Sequence, residues 1–396
     1  MACHDCPIET PSLTQFVIAP GVIDLSWGMP DPTLLPVEQL RRAADRALHR
    51  HGPAALAYGN PAGPPPLIEF ITQRLAQTDA RAPAPAEVLV TSGASQGLDL
   101  AIDLVLKPGD TALVDIPTYH LALHILRDHP INLVAVASDA DGIDLADLDY
   151  QVTTLRAHGE RPRLLYTIPT FRNPTGSSLP ADRRTTLIDH AAANDLVIVE
   201  DDTYRELSYD GPAPPSLWAQ DTAGAVIRLG SFAKSVAPGL RVGYMTAIPD
   251  RIDQLASRGV LDSGGGTTHF SALVLAEYAA SGDYATQVDR FKDAYRTRRD
   301  ALLAGLDAHM PNDTSWTRPA GGYFTWVDLP PGTNVLALAD AARTNGMGFV
   351  PAGAFFVDPD AAPPSLRLAF SMYAPGELTD AGARLAAAIR PAVKDG

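Results

Sequence analysis

A lysine and an arginine, Lys234 and Arg241, stand seven positions apart in a run of small and turn-forming residues. Gly230, Ser231 and Ala233 precede the lysine, and Pro238, Gly239 and Gly243 frame the arginine. An apolar run at residues 225–227 leads in, so the stretch reads as a strand that ends in a loop holding two cations close together. Such cations repel unless something neutralises them. A phosphate would do so for Arg241, and an imine with an aldehyde would do so for Lys234. Pyridoxal 5'-phosphate has both needs and both groups. A solvated loop with two ordinary surface cations fits the same residues, and the rest of the chain must decide.

Other strand exits carry polar groups as well. Ser92-Gly93-Ala94-Ser95 separates an apolar run at residues 88–90 from helical apolar spacing that begins at Leu98. This turn therefore opens a helix, whose free N–H groups, dipole and hydroxyls suit a phosphate. A simple capped turn is the equal alternative. A strand at residues 111–115 leads to Pro117-Thr118-Tyr119, where a tyrosine either stacks on a planar ring or packs at the rim. A run at residues 162–168 leads to Asn173-Pro174, a turn signal whose amide can also donate to a ligand. The aliphatic run at residues 196–199 goes straight into Glu200-Asp201-Asp202-Thr203-Tyr204. Carboxylates at the carboxyl end of a buried strand lie where open α/β sheets bind ligands. One facing a pyridine nitrogen would keep it protonated and the ring an electron sink. Helix capping explains the same acids.

The elements that must position these groups follow from periodicity. Short aliphatic strands alternate with helices over residues 85–245, which predicts an α/β fold with a mostly parallel central sheet wrapped by helices. Residues 20–36 read as an extended arm and residues 37–50 as a helix. Beyond residue 249 the pattern changes. Gly264-Gly265-Gly266 reads as a flexible joint, residues 271–308 as helix-rich, and residues 323–327 and 365–371 as strands of a smaller α+β domain. The expected division is an arm and helix at residues 1–50 packing with the small domain, a large cofactor-binding domain at 51–290, and the small domain at 291–396.

Bulk properties narrow the class. The 396 residues allow about two to three domains, and 46% hydrophobic with 19% charged residues supports a large core. A net charge of -15 argues against a nucleic-acid partner. No apolar run is long enough to span a bilayer, and the first residues lack a basic segment followed by an apolar one, so a soluble cytoplasmic protein is expected. Cys3 and Cys6 form a C-x-x-C without a second ligand pair, which reads as a frayed terminus with no metal role.

Taken together, the motifs resemble the fold-type I pyridoxal-phosphate enzymes of the aminotransferase class I/II branch. The likeness is to the 2-aminoadipate and kynurenine aminotransferases and to the aminotransferase-like domains of MocR regulators. Ser-Gly-Ala-Ser-Gln-Gly, Pro-Thr-Tyr, Asn-Pro-Thr-Gly, Glu-Asp-Asp-x-Tyr, Gly-Ser-Phe-Ala-Lys and Pro-Gly-Leu-Arg-x-Gly follow in the family's order, and the resemblance runs from Gly28 to Arg367. It implies that Lys234 carries the cofactor and moves a proton, that Asp201 pairs with the ring nitrogen, and that Asn173 and Tyr204 bind the ring oxygen. Tyr119 would stack on the ring, while Gly93, Ala94, Ser95, Ser231 and Arg241 would hold the phosphate. Tyr58 would reach the phosphate of a partner subunit, in a homodimer with shared active sites. Arg367 would grip the substrate carboxylate, with Gly28 and Asn173 lining the substrate mouth.

The implied reaction moves an amino group from an amino acid to a 2-oxo acid. Elimination, decarboxylation or cyclisation would use the same anchors, and a ligand-sensing regulator is a further reading. The chain departs from the family's pattern near the substrate. Arg172 stands where glutamine is usual and would add a cation at the mouth, and His120 follows Tyr119. Residues 264–266 and His269 replace a more structured segment that contacts the partner.

Overall fold

The computed structural model describes residues 14–15, 20–79 and 81–392. Cys3 and Cys6 lie outside the described residues. Seven strands form the large sheet: β1 (Val88–Thr91), β2 (Thr111–Asp115), β3 (Asn132–Val136), β4 (Pro162–Thr167), β5 (Val197–Asp201), β6 (Val226–Ser231) and β7 (Gly243–Thr246). Their spatial order is β1-β7-β6-β5-β4-β2-β3. Every adjacent pair is parallel except those of β7, which runs antiparallel to both β1 and β6.

The strands are mainly aliphatic because helices cover both faces. Helices α1 (Val37–His51), α2 (Pro65–Thr78), α3 (Ala94–Val105), α4 (His120–Arg127), α5 (Leu145–Ala157) and α6 (Ala181–Ala193) precede or interleave the strands. Leu98, Ile102 and Leu123 of α3 and α4 pack with Val114, Leu164 and Val199 on one face. Leu148 and Leu187 of α5 and α6 pack with Leu113, Leu165 and Ile198 on the other.

The smaller α+β part holds β8 (Ser315–Trp316), β9 (Phe324–Asp328), β10 (Val350–Pro351) and β11 (Ser365–Ala369), all antiparallel in the order β8-β9-β11-β10. Helices α7 (His269–Ala280), α8 (Asp283–His309) and α9 (Pro375–Ala392) complete the labelled set. Along α8, Tyr284 and Val288 belong to the core shared with α1, α2 and α7, whereas Phe291, Tyr295, Leu302 and Leu306 belong to the small-domain core.

Two expectations change. Ile23–Asp24 of the arm pairs in parallel with Met347–Gly348. Helix α1 packs elsewhere. Its buried Ala43 and Ala47 pack with Leu67, Ile71 and Leu273 of α2 and α7, because those small residues let the helix lie close against the large domain. The glycines at 265–266 are also no loose joint. Both have positive φ, and an added Cβ would come within 2.6 Å of Gly59 N or 2.5 Å of Asn60 O. They are needed for close backbone approach to the loop at residues 59–60. Among the described residues, no helix is long and apolar enough to cross a membrane.

Candidate active site

A cavity of about 460 Å³ opens at the carboxyl ends of β4, β5 and β6, walled on the far side by the arm and the small domain. That is where open α/β sheets place ligands. Gly28, Ala94, Ser95, Tyr119, Asn173, Asp201, Tyr204, Ser231, Lys234, Arg241 and Arg367 all line it. Of the site residues expected from sequence, Gly93 lies immediately behind this lining, and Tyr58 is elsewhere, 85% exposed on the surface.

Lys234 follows β6 and projects into the cavity, where its Nζ donates to Gly28 O at 2.8 Å. The ring centroids of Tyr204 and Tyr323 are each 5.6 Å from that nitrogen. Burial pulls the amine down to about 8; Asp201 opposes this, while Arg367 and Arg241 add to it. Near neutral pH the amine is thus still mostly protonated, with an uncharged fraction of about a tenth, far larger than that of an ordinary lysine.

Asp201 ends β5. The Tyr166 hydroxyl donates to its Oδ2 at 2.8 Å, and the Thr203 N–H donates to its Oδ1 at 3.3 Å. Tyr166 pairs in register with Val199, two residues before Asp201, so both side chains stand on one face of the sheet. Burial raises the carboxyl, and the bonds from Tyr166 and Thr203 hold it back. Among the described residues Asp201 forms no ion pair, so a cationic group in the cavity would supply its missing counter-charge. Sequence reasoning missed Tyr166. The available signal was a lone aromatic in an aliphatic strand, at even spacing from the strand's exit.

At the other end, Gly93 takes φ 83° as it starts α3, and no side chain caps that helix. The first N–H groups of α3 thus lack intrahelical acceptors. A Cβ on Gly243 would lie 2.8 Å from Gly93 Cα, so the start of β7 and the start of α3 touch through two glycines. Arg241, itself left-handed at φ 51°, lays its guanidinium over this contact and donates from Nη2 to Ser92 O at 3.0 Å. The Ser231 hydroxyl completes the rim. A free helix terminus, a hydroxyl and an arginine fit a phosphate. With Asp201 for a ring nitrogen and Lys234 for an aldehyde, the residues fit pyridoxal phosphate.

Arg367 comes from β11 and is buried, 2% exposed. Its Nη1 donates to Asn173 Oδ1 at 3.0 Å and its Nη2 to Ser26 O, while Nε is buried without a partner. The guanidinium lies over Phe324 and Phe355, 4.4 and 5.1 Å from their centroids. Burial lowers it to about 10. No carboxylate of the described chain pairs with it. Gly28 is close by, and a Cβ there would come 2.5 Å from Phe324 Cζ, so the mouth has no room for a side chain at that position. Tyr119 stands at the start of α4, and burial raises its hydroxyl to about 12. Tyr204 is buried edge-on to Tyr323 and Phe324, at 5.4 and 5.6 Å.

Arg172 corrects the sequence reading. It does not face the mouth: it is 2% exposed and paired with Asp115, with a further bond to Ser138 Oγ at 2.9 Å. The buried carboxylate at the end of β2 draws it inward. His120, by contrast, does line the cavity.

The aminotransferase class I and II family model matches residues 20–385. The chain belongs to this family. The aminotransferase is 32% identical over 387 residues to aromatic-amino-acid aminotransferase 1 of Thermococcus litoralis, covering 98% of this chain and 92% of that one. It is 35% identical over 355 residues to the 2-aminoadipate transaminase of Thermus thermophilus, covering 88% and 85%. In structure it is similar to the kynurenine aminotransferase of Pyrococcus horikoshii, solved with PMP, with a TM-score of 0.88, 32% identity and 94% and 91% coverage. The chain is thus a fold-type I, pyridoxal-phosphate-dependent aminotransferase of amino-acid metabolism.

Proposed function

We propose that the cavity carries out amino transfer between an amino acid and a 2-oxo acid with the following division of labour. The observation that carries the reading is one cavity lined by an amine of lowered proton affinity, a buried unpaired carboxylate and a buried unpaired guanidinium. Bound pyridoxal phosphate supplies an aldehyde that condenses with amines and a ring that draws off electrons. Gly93, Ala94, Ser95, Ser231 and Arg241 hold its phosphate. Asp201, kept in place by Tyr166, would keep the ring nitrogen protonated. Asn173 and Tyr204 would hold the ring oxygen, and Tyr119 would cover a ring face.

Arg367 holds the substrate's α-carboxylate. Two of its five N–H groups are engaged by Asn173 and Ser26, which leaves a donor face for the ligand. That grip orients the Cα–H toward Lys234. Its Nζ, once uncharged, removes the Cα proton and returns it on the other side of the transfer. Gly28 and Asn173 leave the mouth open for the substrate.

We further infer a homodimer in which Tyr58 reaches the partner's site. Its support is an aromatic side chain that is 85% exposed beside Leu56, 73% exposed. Mixing a Tyr58→Ala chain with a Lys234→Ala chain should restore activity in the hybrid. The domain division near residue 290, a cytoplasmic location and the absence of a nucleic-acid partner belong to the same reading. The decisive experiment is a screen of amino acids against the cofactor's absorbance. Conversion from the aldehyde to the amine form by at least one is expected, and no conversion by any would overturn the reading.

A further inference from the structure

The walls of the cavity beyond the cofactor groups are mainly apolar: Trp27, Leu98, Leu121, Ile125, Ile168 and Val350. The cations among the described lining residues are Lys234, Arg241 and Arg367, and each already has a task. Arg172, the one further candidate that the sequence put at the mouth, is spent on Asp115. The arm offers none either, because the first Lys or Arg of the chain is Arg41. A carboxylate at the far end of a substrate side chain would thus be desolvated without a counter-charge from the same protomer.

Of the remaining polar lining residues (Gln15, Ser26, Thr203 and His120), His120 is the one packed against the same ring as Arg367. The His120 ring packs edge-on against Tyr119 and Phe355, at 5.4 Å from each. Arg367 lies over the same Phe355 ring at 5.1 Å, so the two residues flank it. His120 Nδ1 is buried with no hydrogen-bond partner, and among the described residues Nε2 has none. Burial, with Arg367 and His124 adding to it, lowers the imidazole to about 4. With Nδ1 sealed in the wall, the neutral imidazole presents Nε2 alone, as donor or acceptor by tautomer, which matches a hydroxyl, amine or amide.

Resting on the aminotransferase reading above, we propose that the amino donor has an uncharged, largely apolar side chain tipped with a hydrogen-bonding group, and that His120 binds this tip. Its distance from the α-carboxylate is set by the Phe355 ring, which the backbone bond from Thr118 N–H to Phe355 O ties to the start of α4 at 2.9 Å.

The test uses the holoenzyme and four donors: tyrosine and phenylalanine, which differ by one hydroxyl, and glutamate and 2-aminoadipate, which end in a carboxylate. The wild type should favour the first pair by about 100-fold in kcat/KM. His120→Leu should lower the tyrosine-to-phenylalanine ratio by about tenfold, the worth of one hydrogen bond. His120→Asn, which keeps a donor and an acceptor, should hold the ratio within about threefold. Preference for the acidic donors in the wild type, or a ratio that His120→Leu leaves unchanged, overturns the proposal. Both outcomes require amino transfer to occur, so they are distinct from failure of the reading on which it rests.

Discussion

Asp201 and Asp202 are neighbours in the chain and opposites in environment. Asp202 turns away from the cavity and accepts from Arg205 Nε at 2.6 Å and Arg228 Nε at 2.8 Å. Asp79 lies beyond them, 3.3 Å from Arg205 and 3.8 Å from Arg228. Burial pushes Asp202 up, but the two arginines hold it below its ordinary value. Asp201 faces the cavity, has only neutral donors, and is raised. The arginines divide the same way: Arg228 is matched by acids, and Arg367 meets only an amide, a carbonyl and two aromatic rings. Buried charges that hold the fold together are paired within the protein, whereas those reserved for ligands wait for a counter-charge from outside.

This contrast can be broken most directly at Lys234. Lys234→Ala should lower kcat by about 10⁴-fold. The bound cofactor should lose the visible band of its lysine-linked form, and a variant that kept the band would dissociate the lysine from the chemistry. On the paired side, Arg228→Leu leaves Asp202 and Asp79 to share Arg205 as their one cation and should cost about 3–5 kcal/mol in urea unfolding. Arg367→Leu strands no acid, so the apo chain should be as stable as the wild type or more so. The same variant should raise KM for α-carboxylate donors by about 100-fold while cofactor binding persists. Equal destabilisation by the two leucines would erase the distinction.

Proton linkage separates the regions as well. Lys234 has a lower value in the fold, about 8, than its ordinary 10.5. Between those values the unfolded chain binds more protons, so apo stability should rise with pH across that window. Over the same titration the uncharged amine becomes available. The rate at which apo protein captures pyridoxal phosphate should climb about tenfold per pH unit below about 8 and level off above it. A flat rate profile would place the amine's titration elsewhere. The smallest expected effect is that of Tyr166→Phe. Removing one hydrogen bond to Asp201 should weaken cofactor affinity about fivefold, measured by equilibrium titration; a change of 100-fold would give Tyr166 a larger part than positioning.

Much of this was legible in the chain itself. Buried parallel strands are written as aliphatic runs, and their carboxyl ends bind ligands by topology, so Asp201, Tyr119 and Lys234 were visible as strand-exit residues. What escaped depends on partners remote in sequence. Arg172 looks like a free cation until Asp115, 57 positions earlier, is brought beside it. The glycines at 265–266 look loose until the backbone at 59–60 presses against them. Strand β7 is four residues long and begins with glycine, so local pattern hid its antiparallel place in the sheet. Helix α1 gave its own extent to within one residue, but its packing partner was set by the distant Leu273.

Helix α8 has one more consequence. Its 27 residues make a rod roughly 40 Å long that serves as a wall of the small-domain core and of the core shared with α1, α2 and α7. Melting either half strips a covering face from the other, so heat meets a single cooperative body in place of two beads on a string.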